Sequence, residues 1–303
     1  MIKARIIFMG TPEFAVESLK ALVEGGFDVV AVITAPDKPK GRGQQLAASP
    51  VKEYASCANL PVLQPTNLKS PEFHEELKAF HANLFVVVAF RMLPEVVWAM
   101  PELGTFNLHA SLLPQYRGAA PINWAIMNGE TETGATTFFI KHEIDTGTIL
   151  LQEKEPIYPN DTVGTLYERL MKLGARLVVR TVEQIRDGNY TLTEQKDNGN
   201  LQSAPKLFRE NCEVDWNWPA EKIYNFVRGL SPYPAAWTVL NGNTYKLFEV
   251  SVVEKAIGSP GTISVEKGEL TIITGKGAVK IIDLQADGKK RMKASEFLRG
   301  NTL

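Results

Sequence analysis

A chain of 303 residues, 44% of them hydrophobic, can build two cores of ordinary size, which excludes a wholly disordered protein. A formal net charge of −1, from 33 Lys and Arg against 34 Asp and Glu, neither requires nor forbids a polyanionic partner, because phosphates respond to charge within a screening length. Two cysteines without CxxC spacing argue against a disulfide framework and fit a reducing cytoplasm; no charged leader is expected, and the longest apolar run, 84–90, is too short to span a membrane as a helix.

In chain order, Ala4-Arg-Ile-Ile-Phe-Met9 reads as a strand, Gly10-Thr-Pro12 as a turn and 13–23 as an amphipathic helix that Gly25-Gly26 ends before a second strand at 29–33. This is a βαβ opening. Gly10-Thr-Pro-Glu-Phe14 stands where a dinucleotide fingerprint would, but it is not GxGxxG, and Glu13 puts negative charge where a pyrophosphate would bind. An NAD(P) site is therefore disfavoured. A Gly/Pro-rich loop follows that carries Lys38, Lys40, Arg42 and Lys52. The run 84–90 suits a strand buried on both faces of a mostly parallel sheet. Helical periodicity over 162–186 places Leu166, Leu170, Leu173, Leu177 and Val178 on an apolar face, and Gly188-Asn189 stops it. Residues 189–208 read as a polar connection. A second unit then has a helical pattern at 220–227 and a bend at Ser231-Pro-Tyr-Pro234. Short strands follow, with turns at 241–243, 258–261, 266–269 and 275–277, the pattern of a small β-barrel or β-sandwich.

The chemistry concentrates at Asn107-Leu-His109. In an extended segment residues two apart share a face, so an amide donor and an imidazole can meet one small substrate. Asp145, before Thr146-Gly147, can be held by local backbone hydrogen bonds and relay a proton or orient the imidazole, or it is a surface turn residue. The four histidines form neither HExxH nor a compact ligand set, so no metal is expected, and Ser111 lacks the GxSxG elbow of a serine hydrolase. Basic clusters occur at Lys38, Lys40, Arg42 and Lys52 and at Lys289-Lys-Arg-Met-Lys293; each is either a solvated face or a phosphate contact.

Together the segments Phe8-Met-Gly-Thr-Pro-Glu-Phe14, Ala35-Pro-Asp-Lys-Pro-Lys-Gly-Arg-Gly43, Val86-Val-Val-Ala-Phe90, Asn107-Leu-His-Ala-Ser-Leu-Leu-Pro114, Tyr116-Arg-Gly-Ala-Ala-Pro-Ile122 and Asp145-Thr-Gly147 closely resemble the folate-dependent formyltransferases. The basic loop and the second unit favour the methionyl-tRNA formyltransferase family among them. The resemblance implies an α/β fold: a Rossmann-like, mostly parallel sheet with helices on both faces, over 1–190, a linker at 191–208, and an OB-like β-barrel for tRNA binding at 209–303. It implies transfer of the formyl group of 10-formyltetrahydrofolate, a cosubstrate, to the α-amine of methionyl-initiator-tRNA.

Carried residue by residue, the resemblance implies catalysis by Asn107, His109 and Asp145, and folate contacts from Phe90, Met92, Ser111, Leu112, Leu113 and Pro114. The tRNA is expected to meet Lys38, Lys40, Arg42, Lys206, Lys289, Lys290, Arg291 and Lys293, with no membrane partner and a cytoplasmic monomer as the working form. Two positions depart from the commoner family pattern: Arg91, where many members have glycine, and Pro205, where many have histidine. A formyltransferase for a sugar nucleotide or a purine-pathway amine would keep the same trio without needing the basic loop or the second unit. A non-catalytic tRNA- or folate-binding module would not need the trio.

Overall fold

The computed structural model describes residues 3–40, 45–197 and 199–301. The chain divides into two compact units. One comprises 1–117, 134–155 and 168–202, and the other 118–133, 156–167 and 203–303.

The first unit is built on a seven-stranded sheet. Its strands are β1 (Arg5–Gly10), β2 (Asp28–Ile33), β3 (Val62–Leu63), β4 (Leu84–Val88), β5 (Thr105–His109), β6 (Glu132–Phe139) and β7 (Ile149–Pro156). They lie in the order β7-β6-β5-β4-β1-β2-β3. The five strands from β3 to β5 pair in parallel, and β6 runs antiparallel to β5. Strand order reverses between β1 and β4. In such open sheets the carboxyl ends of the strands flank a crevice at that point.

Alternation decides what each face meets. Ile7, Met9, Ala31, Ile33, Phe85 and Val87 form one cluster with Phe73 and Leu77 of the helix Pro71–Ala79. Ile6, Phe8, Val32 and Val86 point the other way and are equally buried, so both faces are covered. This is the Rossmann-like α/β arrangement. The helix Glu13–Glu24 buries Phe14, Ala15, Leu19 and Leu22, a helical repeat. Along the helix Val163–Asp187, Leu166, Leu170, Leu173, Leu177 and Val178 are all buried. Gly174 brings its backbone onto Leu108 of β5: a Cβ there would lie 2.7 Å from Leu108 Cδ2. Leu108 thus faces this helix, and its neighbours Asn107 and His109 face the opposite side.

The second unit is β-rich. Its antiparallel sheet takes the strands Ala236–Leu240, Asn243–Val253, Ala278–Ala286, Glu269–Ile273 and Ile263–Glu266 in that order, and Met292–Lys293 pairs with Ala278–Ala286. Two tight hairpins follow from local sequence. Asn241-Gly242 and Lys267-Gly268 both take positive φ at their two central residues, the I′ geometry that matches strand twist. The helix Ala220–Leu230 lays Ile223, Phe226, Val227 and Leu230 against Leu247, Leu270, Ile272, Val279, Ile281 and Leu284. No described helix is long and apolar enough to cross a membrane.

Candidate active site

The register of β5 sets the site. Asn107 stands beside Val87 of β4 and Phe138 of β6, and His109 stands beside Thr136 at the carboxyl end of the strand. His109 is buried, with Nε2 2.8 Å from the backbone oxygen of Tyr116. A carbonyl only accepts, so Nε2 carries the proton and donates. That leaves Nδ1, which lies 3.8 Å from Oδ2 of Asp145, the two side chains being 7% and 13% exposed. The structure therefore brings Asp145 to His109 across 36 residues of chain. Asn107 is half-buried, and its side-chain amide makes no hydrogen bond to another described residue.

Asp145 reaches this position through a tight turn. Its own backbone is left-handed, φ 55°, a region that aspartate tolerates better than most residues. Gly147 permits the turn, because a Cβ there would sit 1.6 Å from the backbone oxygen of Phe139. Thr146 Oγ1 closes it by donating to Glu143 O at 3.0 Å.

The loop after β5 is held from within. Ser111 Oγ donates to Gln115 O at 2.6 Å, Thr136 Oγ1 donates to Ser111 O at 2.6 Å, and Leu113 N donates to Thr136 Oγ1 at 3.1 Å. Gln152 Nε2 donates to Leu113 O at 2.7 Å and to Thr136 Oγ1 at 3.0 Å. The side chains of Ser111 and Leu113 are buried, Leu113 beside Phe138 and Ile149, whereas Leu112 and Pro114 are half-buried. Thr136 and Gln152 were not singled out from sequence, since nothing local marks them as braces of a loop more than twenty residues away.

Phe90 packs on the cluster beneath the sheet, and the Arg91 guanidinium carbon lies 5.7 Å from the centre of its ring. Arg91 also donates to the backbone oxygens of Thr66 and Pro65, and burial pushes its basicity down. Met92 is 71% exposed and helps line a cavity of about 600 Å³ together with Thr66, Lys69, Arg91, Trp98 and His142. The cavity lining does not include Asn107, His109 or Asp145.

The basic positions differ in what they meet. Lys38 is exposed, in the ribbon Lys38–Lys40 paired with Gln45–Ala47; Arg42 lies outside the described residues, as does the side chain of Lys40. At the root of that ribbon Lys52 Nζ meets Asp37 Oδ2 at 2.6 Å. In the second unit Arg291 pairs with Asp283 at 2.9 Å and Lys293 with Glu249 at 2.9 Å, while Lys289 and Lys290 are exposed without an ion pair among the described residues. Lys206 Nζ lies 5.3 Å from the Phe208 ring centre, and Phe208 lines a cavity of about 470 Å³ with Arg209, Tyr233, Trp237 and Lys246. No group of three or more His, Cys, Asp or Glu poised to hold a metal occurs among the described residues.

A buried imidazole between a carbonyl and a carboxylate, next to an amide without a side-chain partner among the described residues, at the carboxyl edge of a Rossmann-like sheet, has the groups that transfer with proton movement requires. Residues 4–182 match the formyl transferase family model and 206–302 the model for the formyl transferase C-terminal domain. The chain is 54% identical over 306 residues to the methionyl-tRNA formyltransferase of Bacteroides fragilis, covering 98% of this chain and 94% of that protein. To the methionyl-tRNA formyltransferase of Flavobacterium johnsoniae it is 53% identical over 307 residues, covering 100% and 98%. The chain belongs to the methionyl-tRNA formyltransferase family of formyl transferases. Among solved structures, the N-formyltransferase of Helicobacter canadensis, in complex with folinic acid and dTDP-3-aminofucose, shares its fold at TM-score 0.69 and 23% identity, covering 96% of this chain and 100% of that one. HypX of Aquifex aeolicus, in complex with tetrahydrofolic acid, does so at TM-score 0.66 and 20% identity, over 98% of this chain and 47% of that one.

Proposed function

We propose that this chain transfers the formyl group of 10-formyltetrahydrofolate to the α-amine of methionyl-initiator-tRNA, with Asn107, His109 and Asp145 as the catalytic groups. The observation that carries the reading is the buried His109, its Nε2 proton engaged by Tyr116 O and its Nδ1 facing Asp145 at 3.8 Å, two positions from an amide with no partner among the described residues. Family membership supplies the acceptor and donor classes, and the folate ligands of HypX and of the Helicobacter canadensis enzyme support the cosubstrate.

The amine attacks the formyl carbon, and negative charge develops on the formyl oxygen. Asn107 Nδ2–H is the donor aimed at that charge. With the Nε2 proton already committed, His109 assists only through a second proton on Nδ1, so its active form in the transition state is the imidazolium, and Asp145 stabilises it. The proton lost by the amine passes through this pair to folate N10 as the tetrahedral intermediate collapses. No covalent enzyme intermediate is formed.

Residues 1–190 make up the catalytic part, 191–208 the connection and 209–303 an OB-like barrel that meets tRNA. The register shifts at Leu247 and Glu249, which bend the 11-residue strand Asn243–Val253, favour closure of this sheet. Folate contacts come from Phe90, Met92 and the loop Ser111, Leu112, Leu113 and Pro114, the buried members acting through loop shape. The tRNA backbone meets Lys38, Lys40 and Arg42 in the catalytic part and Lys206, Lys289 and Lys290 beyond it, with Arg291 and Lys293 second to these because carboxylates already neutralise them. A cytoplasmic monomer is the working form. An acceptor panel tests the reading: formylation of charged initiator tRNA above elongator tRNA supports it, and activity confined to amino-sugar nucleotides or ribonucleotide amines overturns it.

A further inference from the structure

One side chain outside the catalytic trio touches the loops that hold both sides of the imidazole. Gln195 Nε2 donates to the backbone oxygens of Asp145 and Gly147, each at 2.8 Å. Its Oε1 accepts from Arg117 Nε at 3.1 Å and Arg117 Nη2 at 2.7 Å. A primary amide has two N–H donors and two acceptor lone pairs, and all four are used here. The orientation of the amide is thereby unique, since only its nitrogen can face two carbonyls and only its oxygen a guanidinium. The segment carrying it is itself tied down. Thr193 and Ile149 exchange both backbone hydrogen bonds, at 2.8 and 3.0 Å, and Glu194 pairs with Lys141 at 3.7 Å.

The two anchored loops are those that set the chemistry. Arg117 directly follows Tyr116, whose carbonyl takes the Nε2 proton of His109, and the Asp145–Gly147 turn presents the carboxylate to Nδ1. Asp145 holds a left-handed backbone, φ 55°, from which small rotations would swing its carboxylate away. Nδ1 and the carboxylate oxygen are already 3.8 Å apart, so further loosening would cost attraction when Nδ1 gains its proton in the transition state. We infer that Gln195 is a positioning residue, a clamp that sets the His109–Asp145 geometry by tying the Tyr116–Arg117 loop to the Asp145–Gly147 turn. This rests on the catalytic reading of His109 and Asp145 given above. Gln195→Glu separates the halves of the clamp. It keeps an oxygen for Arg117 and sets the other, without a hydrogen, against two carbonyls.

The test uses the full chain as wild type, Q195E, Q195A and, as control, K196A, since Lys196 is exposed and has no hydrogen bond or ion pair among the described residues. Single-turnover formylation, KM for both substrates, thermal midpoint and the ¹⁵N resonances of the His109 ring are measured. The clamp predicts that Q195E and Q195A lose about tenfold to a hundredfold in kcat, with KM for donor and acceptor within about threefold and K196A unchanged. It also predicts displaced His109 ring resonances in Q195E while the thermal midpoint holds. Wild-type kcat in Q195E, or a loss that only follows the unfolded fraction with unmoved ring resonances, overturns the clamp. Should the wild type itself fail to formylate, the functional reading falls, and the ring resonances alone decide whether Gln195 positions the pair.

Discussion

Asp145→Asn replaces one carboxylate oxygen by an amide and leaves the rest of the turn in place. Asparagine adopts the left-handed backbone at φ 55° as readily as aspartate, and the carbonyl of residue 145 still accepts from Gln195. What leaves is a negative charge 3.8 Å from Nδ1 of an imidazole in a pair only 7% and 13% exposed. At an effective dielectric constant of about 20, two unit charges at this separation attract by about 4 kcal/mol. Each 1.4 kcal/mol or so of lost transition-state stabilisation is tenfold in rate, so a fully formed imidazolium would lose about a thousandfold. A partly formed one loses about a hundredfold. Rapid-quench single turnover with saturating 10-formyltetrahydrofolate and charged initiator tRNA reads this step without product release. A folded Asp145→Asn variant within about threefold of wild type would show that the carboxylate does not stabilise a charged His109.

Gly147→Ala forces a Cβ to within 1.6 Å of Phe139 O, so the turn must move; overpacking of this kind costs about 1–3 kcal/mol in denaturant titration, and activity should fall further than the folded fraction. Equal loss of both would detach the turn from catalysis. In salt titrations of tRNA affinity, Lys289→Ala with Lys290→Ala should lower the slope of log K against log salt by about 0.9 for each lost phosphate contact. Arg291→Ala and Lys293→Ala should change it less, being paired with Asp283 and Glu249, and the reverse ranking would remove that argument. Asp37 is held below the usual carboxylate range by hydrogen bonds from Lys52 and then Gln64. A depressed folded value means the contribution is complete above the unfolded value of about 4 and disappears as pH falls through the folded one. Wild type should therefore exceed Asp37→Asn in denaturation midpoint at about pH 7 and lose that margin in acid; a margin independent of pH would contradict the ion pair's part in it.

Local periodicity made the first unit legible. The strand read at 84–90 is Leu84–Val88, the helix read at 13–23 is Glu13–Glu24, and the helix read at 162–186 is Val163–Asp187. Asn107 and His109 could be placed on one face because alternation is a property of the strand itself. The partners of these residues could not. The Asp-Thr-Gly turn announces a bend, but its reach to His109 depends on the pairing of β5 with β6 and on a Gly147 backbone pressed against Phe139. Gln195 sits fifty residues beyond Asp145 in a polar stretch with no local signal of where its amide points. The same limit affected charge. The run Lys289-Lys-Arg-Met-Lys293 is visible as a cluster, whereas the carboxylates of Glu249 and Asp283 that neutralise part of it arrive from neighbouring strands.

Formyl transfer at this site is tested by following ¹⁴C-labelled formyl from 10-formyltetrahydrofolate onto methionyl-initiator-tRNA in wild type, Asn107→Ala and His109→Ala. The wild type should formylate the initiator aminoacyl-tRNA in preference to the elongator, and each variant should keep folate binding while turnover falls by about 10²–10⁴-fold. Undiminished turnover in either variant, or label passing to an amino-sugar nucleotide and not to tRNA, would contradict it.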